Sequence, residues 1–185
     1  MKKFIIGALA LTVTNTIAMA EMNNFYVGGG IVYEKIDGTD DAGKAFALHA
    51  GKEIEDNFGV EIRVSKTFDE SEYTGAYPWV GSQWVDGNYN SKVKIDALTV
   101  ATYGTYKYNP LPEITIIPKI GLNYTSVKTT VSSGIYTRSD TDTDTSLSYG
   151  LDLKYNINPT FITYIGFTKI ASDTQHITVG LERRF

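Results

Sequence analysis

Gln175-His-Ile-Thr-Val-Gly-Leu-Glu-Arg-Arg-Phe185 alternates strictly between apolar and polar positions. Ile177, Val179, Leu181 and Phe185 fall on one face, and His176, Thr178, Gly180, Glu182 and Arg184 on the other. Successive side chains of a strand point to opposite faces, so this segment meets an apolar medium on one side and a polar space on the other. In a soluble sheet those are core and solvent. In a membrane barrel they are lipid and a polar lumen.

The opposite end of the sequence favours export. Lys2 and Lys3 precede an uncharged apolar run from Phe4 to Val13, and Ala18-Met-Ala20 supplies the small residues read by a signal peptidase. The run is too short to span about 30 Å of hydrocarbon as a helix. Residues 1–20 are therefore expected to be a signal peptide, with 21–185 as one domain. No later segment is apolar enough for a membrane helix. A membrane-spanning form of this chain would be a closed barrel, which satisfies its backbone groups between strands.

Composition narrows the functional classes. Loss of Lys2 and Lys3 takes the formal charge from −4 to −6. An acidic balance of this kind gives no footprint for nucleic acid. Without cysteine there is no disulfide framework or thiolate metal site, and no cofactor is indicated. Thirteen tyrosines and seventeen glycines suit strands, interfaces and crowded interiors.

Eight alternating segments lie near 25–35, 44–54, 58–68, 93–108, 113–128, 145–157, 160–170 and 175–185. Each is long enough for a tilted strand, which crosses a bilayer in about 9–11 residues. Leu147, Tyr149, Leu151, Leu153, Tyr155 and Ile157 alternate most cleanly, against Ser146, Ser148, Gly150, Asp152, Lys154 and Asn156. Short turns rich in Asn and Pro (55–57, 109–112, 158–159) contrast with longer polar connections at 36–43, 69–92 and 129–144; the connection near 171–174 is short. Such sorting fits a barrel with periplasmic turns and external loops. Outward Phe25, Phe58, Tyr106, Tyr108, Tyr155, Phe161 and Phe185 gather toward one end, and Tyr33, Phe46, Phe68, Tyr124 and Phe167 toward the other. Two aromatic girdles are expected where rings meet two membrane interfaces. The fold expected is all-β: an eight-stranded antiparallel up-and-down transmembrane β-barrel in the outer membrane of a Gram-negative-type bacterium.

Phe25-Tyr-Val-Gly-Gly-Gly-Ile-Val-Tyr33, Ile120-Gly-Leu-Asn-Tyr124, Tyr149-Gly-Leu-Asp-Leu-Lys-Tyr155 and the terminal Phe185 carry a resemblance to a known family. The chain resembles the small OmpA/OmpX-type outer-membrane barrels. The resemblance covers the segment after residue 20 and does not carry over the peptidoglycan-binding activity of OmpA, which belongs to a further domain. It implies assembly by periplasmic chaperones and the barrel-assembly machinery, with Ile177, Val179, Leu181 and Phe185 as the assembly signal. Arg183 departs from the apolar or aromatic residue usual there, although a long Arg near a rim can snorkel to headgroups.

An eight-stranded barrel is just wide enough inside for side chains to fill it. Glu61, Arg63, Lys107, Lys119, Asp152, Lys154, Glu182 and Arg184, with Glu53, are expected to form a paired lumen charge network, because an isolated buried charge is costly. Lumen filling is favoured over a gated ion path. Tyr73, Tyr77, Trp79, Trp84 and Tyr89 concentrate in the 69–92 loop, which makes it the candidate for binding a host surface, another envelope component or lipopolysaccharide. The competing reading packs these rings on the rim or extends the strands into a hairpin. Asp140, Asp142 and Asp144 alternate but lack the Gly and Glu of a calcium loop, so they read as solvated charge. His176-Ile-Thr178 is similar to the His-x-Ser of lipid A deacylase barrels, yet both side chains are expected in the lumen, as is His49. The function expected is non-enzymatic anchoring of surface loops for adhesion or envelope interaction. The alternatives are a narrow pore or small hydrophobic-compound transporter, for which Pro118 and Gly28 to Gly30 would loosen strand pairing, and more remotely a lipid A-modifying enzyme.

Overall fold

The computed structural model describes residues 24–36, 42–55, 57–69, 71–76, 79–80, 83–84, 90–133, 136–170 and 174–185. The expected signal segment lies outside them. Every regular element among the described residues is a strand: β1 (Phe25–Ile36), β2 (Gly43–Glu55), β3 (Phe58–Asp69), β4 (Ser71–Ala76), β5 (Trp79–Val80), β6 (Gln83–Trp84), β7 (Asn90–Tyr106), β8 (Tyr108–Leu111), β9 (Ile114–Ser133), β10 (Tyr136–Asn156), β11 (Phe161–Ile170) and β12 (Thr174–Arg184).

Eight of these form the wall, in the order β1, β2, β3, β7, β9, β10, β11 and β12, each antiparallel to its neighbours. The wall closes where β1 pairs with β12 from Tyr26↔Arg184 to Ile36↔Thr174. Closure leaves no wall strand with an open edge along the barrel, which is what a bilayer demands of a sheet.

The alternation sets the two surfaces. Along β3, Phe58, Val60, Ile62 and Val64 are exposed, while Glu61, Arg63 and Ser65 are buried. In β12, Leu181 is 59% exposed and its neighbour Glu182 is 1% exposed. The apolar side chains thus cover the outside, and the polar ones fill the inside. Aromatic pairs mark both ends. Phe58 and Tyr106 meet edge-on at 5.1 Å, and Phe25 lies 6.4 Å from Phe185, at the end bearing the termini. Phe46 and Phe68 stack at 4.2 Å at the other end.

Three sequence expectations need correction. Residues 129–144 are largely not a loop: β9 and β10 remain paired from Tyr124↔Thr145 out to Ser133↔Tyr136. The polar composition of that stretch conceals Thr and Val on alternating positions, and β-branched residues fit a pleated ladder. The 69–92 connection is also partly strand, since β4 pairs with Asn90–Ile95 of β7. Near the termini, Tyr108–Leu111 is a short strand pairing with Ile114 and Ile116, so the tight turn sits at Pro112-Glu113.

Glycine matters where the interior is crowded. A Cβ on Gly166 would collide with the Asp152 carboxylate, and one on Gly28 with the His49 ring. Both positions face inward beneath a large polar side chain, and only hydrogen leaves room for it.

Candidate functional site

The centre of the lumen is a paired charge cluster. Glu61 and Arg63 come from β3, Lys119 from β9, Asp152 and Lys154 from β10, and Glu182 from β12, all buried. Arg63 donates to Glu61 Oε1 from Nη2 at 2.8 Å and from Nε at 3.1 Å, and reaches across the lumen to Asp152 Oδ2 at 3.1 Å. Lys119 Nζ donates to Asp152 Oδ1 at 2.6 Å, and Lys154 donates to Glu182 Oε2. Three carboxylates thus face three cations, and the cluster is neutral. That balance lets charges persist in a space that would otherwise penalise each of them.

Tyrosines line this cluster. Tyr26 Oη donates to Glu61 Oε2 at 3.2 Å, and Lys154 Nζ lies 4.4 Å from the centre of the Tyr26 ring. Lys119 Nζ sits 5.3 Å from the Tyr103 ring centre. His49 Nε2 is 3.2 Å from Glu182 Oε2, and its Nδ1 is 3.4 Å from the Tyr164 hydroxyl. Reading tyrosine as a girdle residue misses Tyr26, Tyr103 and Tyr164 inside. Their parity is the available signal: each has the opposite parity to an outward neighbour, Phe25, Thr102 and Ile165 respectively.

The two remaining network candidates lie at the terminal end. Lys107 Nζ donates to Glu53 Oε2 at 2.6 Å, and Arg184 Nε is 4.0 Å from Glu182 Oε1. A cavity of about 330 Å³ opens there, bounded by Tyr26, Glu53, Lys107, Arg184 and Phe185. Arg183 points outward with its guanidinium 4.7 Å from the Phe185 ring centre. A cation over an aromatic face gains from the ring quadrupole, which gives this rim arginine a partner.

Toward the other end, His176 Nε2 is 3.0 Å from Glu34 Oε1, and Thr67 Oγ1 donates to Glu34 Oε2 at 3.2 Å. Glu34 thus bridges a histidine and a hydroxyl. Nucleophile activation requires the histidine between the other two, so this set lacks the relay order of a hydrolytic triad. Thr178 is buried in the lumen beside His176 in sequence. Among the described residues, no group of three or more His, Asp or Glu side chains is placed to hold a metal ion.

The exposed end carries a sheet that continues beyond the barrel. Its ladder runs β4, β7, β9, β10, through Glu72↔Lys94, Lys94↔Thr130 and Thr130↔Ser139. Trp79 and Trp84 stand opposite each other in the two-residue ladder of β5 and β6, and Tyr73 lies on β4. Tyr77 and Tyr89 lie outside the described residues. On the outer wall, Lys44 Nζ donates to Asp69 at 2.8 Å, above the Phe46 and Phe68 rings. The strand ladder runs through Gly28 to Gly30 on both sides without a gap. The β7–β9 ladder ends at Thr105↔Lys119, one residue before Pro118, whose ring nitrogen has no proton to donate.

Known barrels share this frame. The attachment invasion locus protein Ail of Yersinia pestis superposes with a TM-score of 0.59 at 18% identity, covering 89% of this chain and 100% of that one. The N-terminal barrel of Pseudomonas aeruginosa OprF gives 0.60 at 10% identity, with 89% and 100% covered. A major outer membrane protein of Thermus thermophilus gives 0.63 at 13% identity, with 88% and 99% covered. No curated protein matches the chain by sequence. The sequence profile described as "Outer membrane protein beta-barrel domain" matches residues 6–185. With the closed wall, the apolar exterior and the polar lumen, that match makes the chain a member of the outer membrane protein beta-barrel domain family.

Proposed function

We propose that this chain is a non-enzymatic outer-membrane anchor that holds its long hairpins at the cell surface for adhesion or other envelope contact. The termini and short turns face the periplasm in this reading. The observation that carries it is the β9–β10 ladder, which continues for nine residue pairs beyond the Tyr124↔Thr145 rim. At about 3.3 Å per residue this hairpin reaches roughly 30 Å past the aromatic girdle. A chain needing only to close a barrel gains nothing from ordering that much polar strand.

Both histidines face carboxylates inside the barrel rather than the lipid face, which supports a non-enzymatic role. Ail has also been solved with the heparin analogue sucrose octasulfate, so a polyanion is the first probe to try. Cells carrying the full chain are expected to retain heparin-coated beads or epithelial cells. Cells carrying a chain without residues 69–92, or with the β9–β10 hairpin cut back to the rim, are expected to lose most of that retention while keeping heat-modifiable gel migration. Equal retention by all three would overturn the reading.

A further inference from the structure

Inside the barrel, Arg63, Lys107, Lys119 and Lys154 each donate a hydrogen bond to a carboxylate. Arg184 also turns inward, at the last pair of the β1–β12 ladder, yet its guanidinium makes no hydrogen bond among the described residues. Its Nε lies 4.0 Å from Glu182 Oε1, too far for a hydrogen bond, and both atoms are buried without another partner. Glu182 meets Lys154 and His49 through its other oxygen. The Arg184 backbone is fixed, with its amide donating to Thr160 O at 2.9 Å and Tyr26 opposite it on β1.

Arg184 borders the cavity of about 330 Å³ at the terminal mouth, a volume at the small end of ligand sites. Strand parity turns Tyr26, Glu53 and Lys107 toward the same space, and Asn24 and Thr160 also line it. Tyr26 joins the cavity to the central cluster, since its hydroxyl donates to Glu61. Lys107 is taken by Glu53 at 2.6 Å. The main-chain carboxylate of Phe185 pairs with neither Lys107 nor Arg184. The side chains of the mouth therefore carry one cation more than they carry carboxylates, and that cation is Arg184. A guanidinium presents parallel N–H groups that match the two oxygens of a carboxylate.

We propose that this mouth binds a small polar monocarboxylate, of the size and chemistry of an acylated amino acid. Arg184 takes the carboxylate, and Lys107 adds a second positive charge to the same space. Asn24 and Thr160 supply hydrogen-bonding groups for the polar part of the ligand. Glu53 sets the charge that is accepted, because its carboxylate repels a second negative group on the ligand. Which compartment supplies the ligand follows from the orientation proposed above, and the binding itself does not rest on it.

The test titrates N-acetylalanine into the purified barrel in phosphatidylcholine nanodiscs and follows backbone amide resonances by NMR. Saturable shifts are expected at Thr160 and Arg184, and none at Thr99, which is buried farther along the lumen. N-acetylalaninamide has the same shape without the charge and should produce no such shifts. Inorganic phosphate at equal concentration should not displace N-acetylalanine. Loss of a charge-assisted hydrogen bond costs about tenfold or more in affinity, so Arg184→Gln should weaken binding by that factor. Glu53→Gln removes the opposing carboxylate and should strengthen binding. Lys52→Gln deletes a lysine on the outer face of the same strand end and should leave it unchanged. Should Arg184→Gln lose heat-modifiable migration, the sign of the Glu53→Gln effect decides: stronger binding supports the site, and weaker or equal binding overturns it. Equal shifts from the neutral amide, displacement by phosphate, or undiminished binding in folded Arg184→Gln would each overturn the proposal.

Discussion

Asp152 sits at the crossing point of the interior. One carboxylate oxygen takes Lys119 from the adjacent strand, and the other takes Arg63 from across the lumen. Gly166 is bare so that this carboxylate fits. Removing one member of a buried ion cluster strands the others, at about 3–5 kcal/mol. Asp152→Ala should therefore destabilise the barrel by about that amount, read as a lowered urea midpoint in lipid vesicles. Asp152→Asn keeps the shape and part of the hydrogen bonding, so a smaller loss is expected from it. An unchanged midpoint for the Ala variant would mean that water enters the cluster and replaces the carboxylate. Lys107 and Arg184 belong to a different environment at the open mouth, partly exposed, and substitutions there should cost far less.

At the scale of the element, the terminal strand shows how closely sequence pattern and structure correspond. The alternation of β12 follows from a side-chain period of two and a lipid-to-lumen contrast, and nothing competes with it. Phe185 continues the strand as a backbone donor to Phe25 O at 2.9 Å, with its ring between Phe25 and Arg183. It contributes rim contacts and no lumen pairing. Deleting Phe185 should consequently slow appearance of the heat-modifiable folded band in a pulse-chase experiment while shifting the urea midpoint little. A large midpoint shift with normal assembly kinetics would reverse that assignment. The β9–β10 hairpin is less legible. Ser, Thr and Asp between residues 129 and 144 have the composition of a solvated loop, and the sequence alone does not reveal that a neighbouring strand stands ready to pair with them. The inward tyrosines are hidden differently: residue type points to the girdles while position points inside, and in a closed barrel position wins because a one-residue slip would invert every side chain of the strand.

For the whole molecule, the decisive quantity is the room left inside eight strands. That width is just enough for side chains to fill. Here Arg63 bridges β3 to Asp152 on β10, His49 on β2 approaches Tyr164 on β11, and Lys154 joins β10 to Glu182 on β12. Each link spans two or more strand positions around the wall, so together they obstruct the centre from several sides. A hydrated ion would have to displace mutually paired charges, and the cost of stranding them opposes passage. The chain reconstituted in planar bilayers should accordingly show only small, brief conductance steps or none. Arg63→Ser with Asp152→Ser removes the transverse link together with the Lys119 contact, and should make steps larger or more frequent if the variant still migrates as a folded barrel. Large, stable channels from the unaltered chain would show that the cluster opens as a gate. Silence from both forms would place the obstruction in the tyrosine layer of Tyr26, Tyr103 and Tyr164, which the double substitution leaves intact.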